Sequence, residues 1–490
     1  MRRHNAKKIN KSIMKIKFLF IIGFCLSFSI NALAQDTKQV IQKSLSALGN
    51  WEAVDNFEYS TQRTNSDRWQ GYDFSNPIPE KDEFHLAFDL KNNRFLHHTR
   101  NHYPGGYLFD TYRLGRDATY YVYDGIGSRT GKDLLNLGSS SFNNRKNALL
   151  NNFSYFILKQ LLTESKDESL LTADNTWIIS RKTPSGTEEY WFDKNTYLLK
   201  KITKIQGQDT LTQHFDDYLT ADGLMIAKKS SLERNGALVY SDSLSSFRHN
   251  KGVDPKVFDF PPGYKTVTEQ TPKLSAKMLT KDVYLIENVD GDRNILFVNM
   301  GNYIVLTEAP LSSATTRSIL EVIHTTLPNI PVRYVHLSHF HNDHISGIAE
   351  VVKEGATIIC AESMKQPVIA MLHNGNTAAQ TGDASFIVFN NKKVLQNGQK
   401  KLEFYEVPNS HAKGMSFLYL PQEKLIYQGD LLSLPADSYL TPAIAVTREF
   451  SDFLHQKKIP FDQIIGHHGL PLISKKTFDE VITMKEPVFH

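Results

Sequence analysis

Two textures of hydrophobic patterning divide the chain. Between residues 37 and 48, apolar side chains at Val40, Ile41, Leu45 and Leu48 keep a helical spacing that Gly49-Asn50 closes. Strand-like runs follow at 83–89, 93–99 and 118–123. Leu149, Leu150, Phe153, Phe156, Ile157 and Leu161 keep a 3.6-residue period, which predicts one helix over 146–162. Strand patterns resume at 176–180, 188–193, 197–203, 211–215, 224–229 and 238–244. Turn signals such as Lys194-Asn195, Ala221-Asp222-Gly223 and Asn235-Gly236 separate them. Pro261-Pro262-Gly263 marks their end. The pattern predicts a β-rich domain over 35–270, a long antiparallel meander with a few helices.

From Lys273 short apolar strands alternate with helices. Strands are expected at 283–287, 294–299, 303–307, 332–337, 357–360, 402–407, 415–420 and 424–427, with an amphipathic helix at 312–325. This alternation predicts sheets covered by helices, an α+β domain over 271–490.

The formal net charge of +4 suggests a mildly basic protein until the N-terminus is read. Seven Lys and Arg and no acid precede Ala34. A short apolar run at 18–30 leads to Asn31-Ala32-Leu33-Ala34 before Gln35. That order is expected of a cleaved secretory signal peptide, and the run is shorter than the roughly 20 residues of a membrane span. Phe24 stands where a lipoprotein signal carries a small residue before its cysteine. A chain cleaved after Ala34 carries a net −3, with no basic tract for nucleic acid and no later segment suited to crossing a bilayer. The expected location is periplasmic or secreted. Two cysteines exclude a disulfide framework, and Cys360, the one beyond the signal, is expected to be a buried inert thiol. His97, His98 and His102 are expected on surface strands and turns, and His336 as a structural residue.

The chemistry concentrates just after the strand ending at Leu337. Ser338-His339-Phe340-His341-Asn342-Asp343-His344 places four metal-competent side chains within six residues. His339 and His341, two apart, project to one side of an extended segment. Asp343 and His344 then turn onto a helix start, where they can face a second ion. Imidazole and carboxylate donors without thiolate suit zinc and also admit iron or manganese.

His339-x-His341-x-Asp343-His344 resembles the signature of the metallo-β-lactamase-fold hydrolases, an αββα sandwich. Three further family positions fit in order: His411 in Asn409-Ser-His-Ala-Lys-Gly-Met415, Asp430 closing Leu425-Ile-Tyr-Gln-Gly-Asp430, and His468 in Ile464-Ile-Gly-His-His-Gly469. His467 is the neighbouring alternative to His468. The resemblance implies two divalent ions, zinc by expectation. His339, His341 and His411 would hold one ion, Asp343, His344 and His468 the other, and Asp430 would bridge them. It further implies hydrolysis of an ester, thioester, lactone or phosphodiester in a small-molecule substrate, with Asp343 and Asp430 serving catalysis. Asp430 stands where β-lactamases proper carry Cys or Ser, and His341 where flavodiiron oxidoreductases carry a carboxylate, so both branches fit less well. The glyoxalase II-like dinuclear branch fits better, although the segment after Asp430 is too short for that enzyme's helical substrate domain. Glu308-Ala309-Pro310 replaces a common Asp-Thr-Gly. Tyr439 and Thr441, in the loop after Asp430, are candidate substrate contacts.

The order of elements over 37–265 resembles the LolA-like lipoprotein carriers, which implies an apolar cup able to hold a lipid or acyl chain. Two alternatives to a hydrolase stay open: a mono-iron persulfide dioxygenase, and a non-catalytic binder of lipid or envelope components.

Overall fold

A computed structural model describes residues 36–65, 67–164, 168–268, 273–374 and 384–485. The expected signal segment and the expected domain boundary at 270/271 lie outside these residues. Thr37–His490 forms one compact unit.

The N-terminal part is one large sheet, with 14 strands among the described residues. They are Asn56–Asn65 (β1), Glu80–Asp89 (β2), Arg94–Tyr103 (β3), Tyr107–Arg116 (β4), Thr119–Asp124 (β5), Asp133–Asn136 (β6), Glu168–Ala173 (β7), Thr176–Thr183 (β8), Gly186–Asp193 (β9), Leu199–Gln206 (β10), Asp209–Ala221 (β11), Leu224–Arg234 (β12), Ala237–His249 (β13) and Lys265–Thr268 (β14). The spatial order is β14-β6-β5-β4-β3-β2-β1-β13-β12-β11-β10-β9-β8-β7. The expected antiparallel meander is therefore present. It closes differently at one end, because β14 lies beyond the Pro-Pro-Gly cluster and still pairs with β6, in parallel.

Period-two alternation turns aromatic side chains to one face of this sheet. Phe57, Phe88 and Phe95 are cross-strand neighbours, and the Phe57 and Phe88 rings stack at 4.9 Å, an arrangement that favours aromatic pairs. Helices Thr37–Ala47 (α1), Gly138–Leu150 (α2) and Ser154–Glu164 (α3) share their core. The single helix expected over 146–162 is two, α2 and α3. Asn151-Asn152 interrupts the ladder, and the Asn152 side chain bonds the Leu149 carbonyl at 2.9 Å instead. Phe153 stays buried across the break, so the apolar period continues where the helix does not. Trp51, Phe57, Phe153 and Phe156 pack together at the centre of this core. The cavity beside Trp51 measures about 20 Å³, roughly the space of one water. His97, expected at the surface, is buried at 4% exposure on this face.

The C-terminal part is an αββα sandwich, as expected. One sheet comprises Ala276–Thr280 (β15), Val283–Val289 (β16), Arg293–Asn299 (β17), Ile304–Thr307 (β18), Val332–His336 (β19), Thr357–Ala361 (β20) and Phe386–Phe389 (β21), in that spatial order. The other comprises Lys392–Asn397 (β22), Lys400–Glu406 (β23), Ser416–Leu420 (β24), Leu425–Gln428 (β25), Gln463–Gly466 (β26) and Ile473–Ser474 (β27). Val283, Leu285, Leu296, Val298, Phe404, Leu418 and Ile465 fill the space between the sheets. Helix Ser313–Thr326 (α4), capped by the Ser312 hydroxyl, buries Ile319, Leu320 and Ile323. Ala445–Lys457 (α5) buries Val446, Phe450 and Leu454. The Cys360 thiol is buried and pushed up to about 12 by that burial, which makes it inert, as expected. His336 is likewise structural, its Nε2 2.9 Å from the Ser416 hydroxyl.

The two parts meet through several segments of the first, among them the β5–β6 connection, where Lys132 N–H donates to Asp437 Oδ2 at 3.0 Å. The stretch after β1 packs Phe74 against Phe340 with ring centroids 6.0 Å apart, and Asp73 pairs with Lys413 at 2.8 Å. The Pro104-Gly105-Gly106 turn joining β3 to β4 reaches His411 and the start of α5.

Candidate metal centre

Every expected ligand sits just beyond a strand end. His339, His341, Asp343 and His344 follow β19, His411 lies between β23 and β24, Asp430 follows β25 and His468 follows β26. Such ends carry few backbone constraints of their own while the sandwich behind them stays rigid. Local side chains shape the loops. Asn409 Oδ1 accepts the N–H groups of His411 and Ala412, and Gln428 Oε1 accepts those of Leu431 and Leu432.

The structure brings all seven expected ligands together around Asp430. Its Oδ2 lies 3.3 Å from His411 Nε2 and 3.7 Å from His339 Nε2. Its Oδ1 lies 3.2 Å from His344 Nε2 and 3.5 Å from His468 Nε2. His341 completes the first group, its ring 4.5 Å from that of His339 and 4.6 Å from that of His411. Asp343 joins the second, with Oδ2 3.5 Å from His468 Nε2 and 3.7 Å from His344 Nε2. These are two His-rich candidate metal sites, separable by geometry as His339, His341, His411 and Asp430 against His344, His467 and His468. Of the adjacent pair, His468 faces both carboxylates. His467 is buried beside His344, its Nδ1 2.8 Å from the Tyr427 hydroxyl.

His339 Nε2, His341 Nδ1, His411 Nε2 and Asp430 Oδ1 are buried and make no hydrogen bond. Four orphaned polar atoms at one point are costly for a folded protein unless a shared partner binds them. An imidazole–carboxylate donor set of this kind fits a divalent ion. The opposite edges of His341, His411 and His468 are already held. His341 Nε2–H donates to Gly71 O at 3.1 Å and His411 Nδ1–H to Pro104 O at 2.8 Å. His468 Nδ1 lies 2.8 Å from Asp292 Oδ2, and His344 Nδ1 lies 3.6 Å from the buried Glu308 carboxylate. Such contacts fix which nitrogen carries the free lone pair.

Electrostatics follow the same division. Burial, then His344 and His341, holds His339 well below the usual imidazole range, and burial and His411 bring His341 down to about 3. Both rings are thus neutral, the form a metal needs. Burial alone would raise the Asp430 carboxyl, but His344, His468 and His339 outweigh it and hold the group well below the carboxylate range. Burial also opposes charge on His468, which Asp430 and Asp292 nevertheless raise to about 9. In the second group, carboxylates and imidazoles share protons that a cation would displace.

A cavity of about 160 Å³ opens onto Asp343, Asp430, His411 and His468. Thr441 lines it. Tyr439 does not: its ring lies near Gly127 and 5.1 Å from the Lys132 ammonium. The far wall belongs to the N-terminal sheet and its loops, with Gln70, Tyr103, Tyr107, Phe109 and Arg129. Gln70 Nε2 donates to Asp343 Oδ1 at 3.0 Å, and the Tyr107 hydroxyl donates to the Asp430 carbonyl at 2.9 Å. Asp343 also receives Arg293 Nη2 at 3.3 Å. None of these residues is marked by spacing in the sequence.

Asp292→Asn is expected to keep the His468 hydrogen bond and lose its charge. Affinity for the second ion should fall roughly 10–100-fold, read by chelator competition with the first ion retained. Unchanged affinity would show that Asp292 does not tune His468.

The fold and these side chains define an αββα domain with two candidate metal sites. Residues 316–489 match the family model described as the metallo-β-lactamase superfamily. The C-terminal part of the chain is a domain of that superfamily, preceded by the large antiparallel sheet, and none of these comparisons assigns the latter. No curated protein matches the chain. Among solved structures, a metallo-β-lactamase from Pontibacter korlensis is 19% identical over 43% of this chain and 97% of its own, with a TM-score of 0.35. A sec-alkylsulfatase from Pseudomonas sp. is 16% identical over 42% and 40%, TM-score 0.34. The flavodiiron protein from Giardia intestinalis is 15% identical over 44% and 59%, TM-score 0.33. The match thus spans less than two thirds of the last two proteins. At these values the likenesses say nothing about the reaction.

Proposed function

We propose that the protein is a dinuclear metal-dependent hydrolase of small molecules carrying an ester, thioester, lactone or phosphodiester bond. The observation that carries this reading is Asp430, whose two oxygens face two separate histidine groups. His339, His341 and His411 would hold one ion, Asp343, His344 and His468 the other, with Asp430 between them. Bound divalent ions, zinc by donor type, supply Lewis acidity and lower the pKa of water enough for attack at neutral pH.

The protein's own groups do the rest. Asp343, held ionised by His344 and His468 against the cost of burial, orients the attacking water and takes its proton at Oδ2. It then passes that proton to the leaving group. Arg293, on Asp343, and Arg129, in the cavity wall, offer positive charge to the oxygens that become negative in the transition state. Gln70 keeps the Asp343 carboxylate from rotating away. The small cavity admits the reacting part of a substrate and excludes bulk water. Export to the periplasm or beyond is part of the proposal and rests on the sequence pattern at 1–34 alone.

Elemental analysis of the purified chain, followed by a panel of chromogenic esters, thioesters, lactones and phosphodiesters, tests this reading. About two zinc ions per chain and turnover of at least one substrate class are expected. One iron per chain with no hydrolysis would favour the persulfide dioxygenase instead.

A further inference from the structure

On the helix-covered face of the N-terminal sheet, β3 and β4 carry a row of paired positions leading away from the metal centre. Tyr103 faces Tyr107, Asn101 faces Phe109, Thr99 faces Thr111, and His97 faces Arg113. At two residues per step, the His97–Arg113 pair lies roughly 20 Å along the strand from Tyr107. Helix α2 lays Arg145 over this pair, and its Nη2–H donates to His97 Nδ1 at 2.8 Å. That bond leaves the proton of neutral His97 on Nε2, where it is buried without an acceptor. The Arg145 Nε–H is buried without an acceptor too. Arg113 donates to the Thr99 hydroxyl, at 2.9 Å. Among the described residues neither Arg113 nor Arg145 has a carboxylate in ion-pair contact. Asp242, on the same face, is taken by both nitrogens of Arg63.

The cluster therefore offers donors and positive charge with no counter-charge. Burial, then Arg145, pushes the Arg113 guanidinium down to about 10, and Arg129 adds to the repulsion. It remains a cation at neutral pH. Like charges gathered where water is partly excluded are unfavourable unless an anion joins them. We propose that Arg113, Arg145 and His97 form a binding site for an oxyanion group, a phosphate, sulfate or carboxylate. The anion is either the far end of a long substrate reaching from the cavity past Arg129, or a free inorganic or organic anion. The site does not depend on the metal centre for its binding.

The test follows thermal unfolding of the full metal-loaded chain in sodium sulfate against sodium chloride at matched ionic strength. A ligand that binds the folded state raises the melting temperature with concentration. Sulfate is expected to stabilise the parent. Arg113→Met and Arg145→Gln should weaken that response roughly 10–100-fold in apparent affinity, since each removes a charge-assisted contact. In chloride both variants should melt about where the parent does, because among the described residues neither arginine is in an ion pair. An equal sulfate response in all three proteins would overturn the proposal. So would variants that melt lower in chloride yet keep the sulfate response, which would make the arginines structural. A second arm identifies the source of the anion, using a matched pair of neutral and anionic chromogenic esters. A KM increase in Arg113→Met confined to the anionic ester places the group on the substrate. Unchanged KM for both, with the sulfate response lost, places it on a free anion.

Discussion

Asp430→Ala is expected to leave a folded chain that has lost at least one metal ion and roughly 10³-fold in hydrolytic rate. The magnitude follows from the several kcal/mol that a bound ion contributes to transition-state charge, at 1.36 kcal/mol per decade. The geometry explains why one residue has so large an effect. Among the described residues Asp430 is the sole carboxylate that faces both histidine groups, with one oxygen toward His339 and His411 and the other toward His344 and His468. Without it, the carboxylate between the two histidine groups is gone, and Asp343 faces the second group alone. Asp430→Asn is the matched control for shape: it keeps one oxygen donor and should retain part of the metal. Neither substitution touches the backbone carbonyl that receives the Tyr107 hydroxyl, so the domain contact should survive, and the melting curve reports on that directly. Two ions per chain with a rate within about twofold of the parent would sink the dinuclear reading.

The candidate ligands were legible in the sequence because each belongs to a short local pattern at a strand end. His339, His341, Asp343 and His344 announce themselves within six residues, and Asp430 and His468 sit beside glycines at the ends of apolar runs. The αββα layering was legible for a related reason, since strand–helix alternation is a local signal. What escaped were contacts made by chance of topology rather than by spacing. Gly71 and Pro104 hold two of the candidate histidines through backbone carbonyls, and a carbonyl has no residue identity to read. Tyr107 and Gln70 are more than 270 positions from the groups they touch. The hidden break between α2 and α3 has a different cause. Phe153 keeps the apolar period going while Asn151-Asn152 stops the helix, so hydrophobic periodicity and backbone continuity diverge. His97 was misjudged because a histidine on a strand reads as polar, whereas here α2 covers it.

The dependence of the metal centre on the N-terminal sheet can be tested at a single atom. Gly105 sits at the tip of the β3–β4 connection with φ +85°, and a Cβ there would lie 2.9 Å from His411 Cβ and 3.1 Å from Val446 Cβ. Gly105→Ala must therefore move the turn away from His411, and Pro104 O, the acceptor of His411 Nδ1–H, moves with it. Freed from that bond, the ring can rotate or change tautomer, and the affinity for the first ion should fall roughly 10–100-fold. The left-handed backbone adds about 1–2 kcal/mol of strain to any such substitution, so strain must be separated from the loss of the contact. Gly106 supplies the control. It has the same φ of +85°, but a Cβ there meets Ala445 N at 3.2 Å and approaches Ile444, not His411. Both alanine variants should lower the melting temperature by similar amounts, while the metal affinity falls in Gly105→Ala alone. Equal loss of metal in the two would mean that general loosening of the domain contact, rather than the Pro104 carbonyl, sets the affinity. Full metal affinity in Gly105→Ala would show that the histidine domain orients His411 unaided.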